Sequence, residues 1–284
     1  MLSTLISAQE LANITQTKVR IVDCRHDLMD AQAGLNAYAA GHIAGAVFAH
    51  LDQDLSGAKT NAEGVFCGRH PLPDTQNLLS ALRRMGIDDD TQVVAYDAHG
   101  GMFAARLWWL LRSIGHEAVA VLDGGLAAWT ASGRVLQTEA NNYATGNIEL
   151  KPALTRQVDV ATVLANVEQN AAVALQVVDA RSPDRFRGEN ETMDPVGGHI
   201  PGAKNRFFKD NLQADGCFKS AQQLRQEWSA IITDPANAVM QCGSGVTACH
   251  NLLALEEAGL SGAALYPGSW SEWCADASRP VARG

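Results

Sequence analysis

The 284 residues contain no Cys-x-x-Cys pair, no apolar run long enough to span a bilayer and no excess of basic charge. Each absence excludes something. Without paired cysteines or an adjoining histidine ligand pattern, the six cysteines (24, 67, 217, 242, 249 and 274) suggest neither a zinc site nor a thioredoxin-like dithiol. With 22 basic against 31 acidic residues, the chain carries a formal charge of −9, which argues against broad binding of nucleic acid or of an anionic membrane. The N-terminal stretch from Met1 to Glu10 has no basic n-region and no signal-length apolar core. The expectation is a soluble, cytoplasmic protein with free thiols, no metal and no organic cofactor.

What the chain does have is one cysteine in an activating context. Val239-Met240-Gln241-Cys242-Gly243-Ser244-Gly245-Val246-Thr247-Ala248 sets Cys242 between an expected strand and the start of an expected helix. Glycines at 243 and 245 let the backbone curl, and a helix opening near Val246 aims unpaired N–H groups and its positive dipole end at the sulfur. That setting favours thiolate over thiol. Ser244 and Thr247 add hydroxyl donors. A lone cysteine is more often a buried small hydrophobe, and the other five are read that way; the strand-Cys-Gly-x-Gly-helix order reverses the preference for Cys242.

The two halves of the chain resemble each other. Ile21-Val22-Asp23-Cys24-Arg25 matches Val177-Val178-Asp179-Ala180-Arg181, and Gly41-His42-Ile43 matches Gly198-His199-Ile200. The strand ending before Asp97 matches the one ending before Cys242, and Gly124 with Trp129 matches Gly268 with Trp273. Ordered matches of this kind imply two copies of one domain. In each copy, short apolar runs (19–22, 93–96 and 118–122, then 175–178, 238–241 and 263–266) alternate with helical segments, as in a buried parallel sheet with helices on both faces. Helices are expected over 102–114 and 246–258, each ended by a glycine, with an aperiodic linker at 138–156.

Duplication also sorts functional from structural residues. His42 and His199 recur in both copies and read as structural, as do the Asp23–Arg25 and Asp179–Arg181 pairs; the counterpart of Cys242 is Asp97, which cannot do thiolate chemistry. The first copy has twelve more residues between His42 and Asp97 than the second has between His199 and Cys242. The extra length falls in 51–73, which contains Asp52, Asp54, Arg69 and His70. This polar loop is either a solvated connection or a flap over the cleft between the copies that presents Asp52 and His70 to the site.

On these motifs, together with Leu122-Asp123-Gly124-Gly125 and the 270–273 segment, the whole chain resembles the two-domain sulfurtransferases of the rhodanese family. Its Cys242-Gly243-Ser244-Gly245-Val246-Thr247-Ala248 loop is similar to the form found in 3-mercaptopyruvate sulfurtransferases. The resemblance implies a non-catalytic domain at 1–137 that supplies the loop 51–73, a linker at 138–156 and a catalytic domain at 157–284. It implies ping-pong transfer: the Cys242 thiolate takes sulfur from a small-molecule donor, becomes a persulfide and passes the sulfur to a thiol, such as thioredoxin or a small thiol, or to cyanide.

Arg185 matches one substrate-binding arginine of the family, while the second, nine residues on, falls at Asp194; Arg187, Lys204 or Arg206 are the candidate substitutes. His70 and Asp52 match loop residues with assisting roles in proton transfer and substrate polarisation. Thiosulfate-specific members tend to carry basic residues just after the cysteine, whereas Gly243 and Ser244 are neutral, so mercaptopyruvate is the expected donor and thiosulfate the alternative. Phosphatases of related fold need an arginine six residues after the cysteine, where this chain has Ala248. A sulfur carrier or redox sensor without turnover is the non-enzymatic alternative.

Overall fold

A computed structural model describes residues 2–14, 18–169 and 174–284. Among the described residues there are two five-stranded sheets, one per copy. The first contains β1 (Leu5–Ile6), β2 (Val19–Asp23), β3 (Ala46–Phe48), β4 (Gln92–Tyr96) and β5 (Val119–Leu122), in the spatial order β1-β5-β4-β2-β3. The second contains β6 (Arg156–Gln157), β7 (Gln176–Asp179), β8 (Lys204–Asn205), β9 (Ala238–Gln241) and β10 (Ala264–Leu265), in the order β6-β10-β9-β7-β8. Position for position the two orders are the same, and every paired strand is parallel. This is the α/β architecture expected from the continuous apolar runs: β4 and β9 are buried along their whole length.

The chain divides into two compact units. The first comprises Met1–Gly57, Pro73–Leu154 and Leu212–Phe218; the second comprises Ala58–Leu72, Thr155–Asn211 and Lys219–Gly284. Residues 58–72, inside the loop assigned to the first copy from sequence, thus group with the second unit, while Asp52 stays with the first. The aperiodic segment after residue 138 is strapped to the first unit. Tyr143 donates its hydroxyl to the Gly45 carbonyl at 2.8 Å, the Gly146 and Lys151 amides bond to Arg83 and Ile114, and Ile148 is fully buried.

Each unit has its own core. Ile6, Leu11, Ile43, Val94, Tyr96, Leu122 and Trp129 fill the first; Val163, Val177, Ile200, Val239, Tyr266, Trp270 and Trp273 fill the second. The recurring polar residues brace these cores in the same way twice. His42 stacks on Tyr38 and bonds its carbonyl through Nδ1 at 2.8 Å; His199 stacks on Phe186 and bonds its carbonyl at 2.9 Å. Arg25 pairs with Asp23 and Arg181 with Asp179, each at 2.6 Å and each buried. A buried pair with both partners hydrogen-bonded tolerates the interior, whereas removing one partner would strand the other's charge.

Candidate active site

Cys242 follows β9, a central strand, at the carboxyl end where open parallel sheets gather their ligands. The helix Thr247–Glu257 begins five residues later, so its first-turn N–H groups, which have no acceptor within the helix, open beside the loop. Cys242 is buried, with 2% of its surface exposed. Its amide donates to Ser269 Oγ at 3.1 Å, and its carbonyl accepts the Trp270 amide at 3.0 Å.

Ser269 sets this anchor at a conformational cost. Its φ is +54°, in the left-handed region, and the matching residue of the first copy is Gly125, at φ +56°. A side chain there costs on the order of 1 kcal/mol. The hydroxyl offsets it by accepting from Cys242 and donating to the Tyr266 carbonyl at 2.9 Å.

The other thiols are held differently. Burial pushes Cys217 and Cys274 up to about 11 and Cys24 well above its ordinary value, so all three remain protonated at neutral pH. Cys249 is buried in the helix and bonds the Gly245 carbonyl at 3.3 Å; no disulfide joins any of the six cysteines.

The first copy shows what its version of the loop binds. Asp97, at the position of Cys242, is fully buried and accepts four backbone N–H groups: His99 at 2.7 Å and Gly101 at 2.9 Å on one oxygen, Phe103 at 2.8 Å and Ala104 at 2.9 Å on the other. The Leu126 amide closes onto the Asp97 carbonyl at 2.9 Å, as Trp270 closes onto Cys242. The strand-to-helix loop of the first copy is thus an anion cradle, filled by the chain's own carboxylate. Asp97→Asn, which turns an NH2 group toward two of those donors, is expected to destabilise the protein by about 2–4 kcal/mol, measured as a lowered urea midpoint with an unchanged slope.

Around Cys242, the structure brings together residues distant in sequence. His70 Nδ1 lies 2.8 Å from Ser244 Oγ, and His70 is buried. Arg185 grips Glu191 through Nε at 3.1 Å and Nη2 at 2.8 Å. Arg69, which sequence reasoning left among the loop's polar residues, ion-pairs with Asp194. Asp194 also lies 3.5 Å from Arg185, and Glu191 lies 3.4 Å from Arg181. The result is a line of alternating charge, Asp179–Arg181–Glu191–Arg185–Asp194–Arg69, with three cations and three anions. Burial alone would raise Glu191, but hydrogen bonds from Arg185 and the Met193 amide outweigh it and hold the carboxyl below its ordinary value. At Asp194 the balance reverses: burial pushes its carboxyl up, against the pull of Arg69.

Two guanidinium groups end this line beside Gly243, the residue after Cys242. A Cβ placed on Gly243 would stand 2.8 Å from Arg69 Nη2 and 3.6 and 3.8 Å from the two terminal nitrogens of Arg185. The three substitutes suggested by sequence are engaged elsewhere: Arg187 with Glu189 at 2.7 Å, Arg206 with Glu227 at 2.6 Å, and Lys204 with the Ile231 carbonyl at 2.5 Å. Arg69 could have been suspected from Asp194 alone, since an acid where a substrate arginine is expected requires a cation to neutralise it. Glu191 and Ser269 left no comparable signal.

Asp52 sits in the first unit in a cluster with His26 and His50, whose potential ligand atoms lie within 4.8 Å of one another. The arrangement suits hydrogen bonding better than a metal. His50 Nε2 pairs with the Ala31 carbonyl at 3.0 Å and Nδ1 with the Asp52 amide at 3.1 Å, which occupies both ring nitrogens.

The repeated α/β units and the cysteine-bearing strand-to-helix loop belong to a defined class: the rhodanese-like domain pattern matches residues 7–132 and 159–276, and the chain is a two-domain sulfurtransferase of the rhodanese family. It is 46% identical to a protein of Pseudomonas aeruginosa named as a probable 3-mercaptopyruvate sulfurtransferase, over 99% of this chain and 98% of that one. It is 40% identical to a protein of Mycobacterium tuberculosis named provisionally as a thiosulfate sulfurtransferase, over 99% and 97%. Among solved structures, the 3-mercaptopyruvate sulfurtransferase from Leishmania major superposes with a TM-score of 0.84 at 29% identity, covering 98% of this chain and 76% of that one. Among the described residues, no helix is long and apolar enough to cross a membrane.

Proposed function

We propose that the protein is a cytoplasmic 3-mercaptopyruvate sulfurtransferase with Cys242 as its nucleophile. The observation that carries this reading is the anion cradle. The loop that wraps a carboxylate in the first copy presents, in the second, a cysteine sulfur whose persulfide is also an anion. The thiolate attacks the donor's sulfur; the carbon–sulfur bond breaks, its electron pair leaves as the enolate of pyruvate, and the enolate takes a proton. Backbone amides from Gly243 to Ala248 and the hydroxyls of Ser244 and Thr247 stabilise the sulfur anion, in the manner of an oxyanion hole.

His70, hydrogen-bonded to Ser244, supplies the enolate's proton. Arg185 takes the donor's carboxylate. A thiol acceptor, thioredoxin or a smaller one, or cyanide then attacks the outer sulfur and releases the Cys242 thiolate. Asp52 belongs to a reading in which the loop 51–73 assists the site. The balanced charges of the arginine–acid line favour a monoanionic donor over dianionic thiosulfate, which a net positive loop would suit better.

The test is to incubate the protein with mercaptopyruvate and with thiosulfate separately, then follow sulfur at Cys242 by mass spectrometry and turnover with a thiol acceptor. One added sulfur on the Cys242 peptide and many turnovers with mercaptopyruvate are expected. A single persulfide equivalent without turnover would make the protein a carrier, and faster turnover with thiosulfate would exchange the donor.

A further inference from the structure

We infer that a cavity beside the turn at 266–268 is a binding site for a small organic ammonium ion, separate from the site of sulfur transfer. The cavity measures about 460 Å³, the size of a small-ligand site. All of its lining belongs to the second unit, and Cys242, Ser244, His70 and Arg185 take no part in it.

Three observations carry the inference. First, the walls are apolar and the charges in them are of one sign. Leu72, Val158, Val160 and Pro267 supply hydrocarbon, Asp159 and Glu272 supply carboxyl groups, and no lysine or arginine lines the cavity. The helix Val160–Val167 opens here, but its positive end is already answered. Asp159 caps it, with one oxygen accepting from the Thr162 amide at 2.8 Å and the Thr162 hydroxyl at 2.7 Å, which leaves the second oxygen for a ligand.

Second, Glu272 is short of positive charge. Burial pushes its carboxyl up, and Tyr266 and Arg279 only partly offset that push. The Arg279 guanidinium is engaged elsewhere: Nη1 donates to the Glu272 and Trp273 carbonyls, and Nε pairs with Asp276 at 3.6 Å. An ammonium ion in the cavity would supply the counter-ion that Glu272 lacks. Gly268 makes room for this carboxyl, since a Cβ there would collide with Glu272 Oε2.

Third, the floor of the cavity holds an unsatisfied polar group. Tyr266 is fully buried and its hydroxyl has no hydrogen-bond partner; the Glu272 carboxyl stands beside it without a hydrogen bond between them. Buried hydroxyls are rarely left so, and this one offers an ammonium ion seated against Glu272 a further acceptor. An ammonium group on a compact apolar body therefore matches the cavity in charge, in hydrogen bonding and in the character of its walls.

Cys67, half-buried in the lining, serves as a built-in reporter. The test measures the rate at which iodoacetamide alkylates Cys67, read by mass spectrometry of its peptide, with benzylamine, its neutral isostere benzyl alcohol, or benzoate present. Calorimetry of the same three probes gives the affinities. Benzylamine is expected to slow the labelling of Cys67 about tenfold when present at about ten times its dissociation constant. Benzyl alcohol and benzoate are expected to bind at least about tenfold more weakly. Cys217, half-buried in the first unit, should be labelled at one rate throughout.

Asp159→Asn, which keeps a good helix cap, and Glu272→Gln are each expected to weaken benzylamine about tenfold, the effect of one charge-assisted hydrogen bond. Equal protection by benzyl alcohol or benzoate overturns the inference. So does the absence of saturable benzylamine binding, or binding that both variants leave unchanged. If Glu272→Gln does not fold, Asp159→Asn carries the variant test, and the comparison of the three probes needs only the parent protein.

Discussion

Cys242→Ser is expected to lose sulfur transfer by a factor on the order of 10³ or more, with no sulfur retained on the protein after exposure to mercaptopyruvate. A serine hydroxyl fits the space but is not ionised at neutral pH, and its oxygen does not take up sulfur as a thiolate does. The fold should tolerate the exchange. The Cys242 backbone is held by Ser269 and Trp270 independently of its side chain, and a serine hydroxyl can both donate and accept hydrogen bonds in the loop. Activity should therefore vanish with the thermal midpoint changed little. A variant that transferred sulfur at the parent rate would remove Cys242 from the mechanism and leave Cys67, half-buried on the segment that also bears Arg69 and His70, as the thiol to examine next.

Gly245→Ala is the substitution expected to cost most stability in the loop, about 2–4 kcal/mol and several degrees of thermal midpoint. Gly245 has φ +76°, and a Cβ there would lie 2.3 Å from the Pro267 carbonyl oxygen and 3.0 Å from the Pro267 Cα and carbonyl carbon. All three obstacles are backbone atoms, so relief requires the loop or the 267–270 turn to move, and that turn anchors Cys242. Activity should fall along with stability. Gly243→Ala, two residues away, provides the contrast: Gly243 lies outside the left-handed region and its nearest obstacle is the mobile tip of Arg69. Stability should be kept there and donor affinity lost. Equal thermal midpoints for the two alanine variants would contradict this division of labour.

The parallel α/β sheets and the duplication were legible because both are written in local pattern. Apolar runs at β4 and β9 and glycines after the helices are short-range signals, and the matching landmarks kept their order. The loop at Cys242 was legible for the same reason: its strand, cysteine, glycines and helix are contiguous. The surroundings of that loop were not. Arg69, Glu191, Asp194 and Gly243 meet only because residues 58–72 pack with the second unit, a pairing across more than a hundred residues that no periodicity encodes. Asp194 stood out as a departure from the family's arginine, yet the charge that answers it lay in a segment read as a polar loop. Ser269 was hidden differently, since its left-handed backbone shows in the sequence only as a serine aligned with Gly125.

The four N–H groups around Asp97 have a consequence for the paired architecture. The first copy is plugged by its own side chain, tethered and always present at saturating concentration. No anion from solution competes with a ligand that cannot diffuse away. Replacing Asp97 by cysteine would therefore not create a second working site by chemistry alone. It would first have to unmake a cradle contoured to two carboxylate oxygens, on a loop two residues longer than the one that follows Cys242. The duplication thus left one copy whose loop presents a thiol and one whose loop is permanently occupied by its own carboxylate.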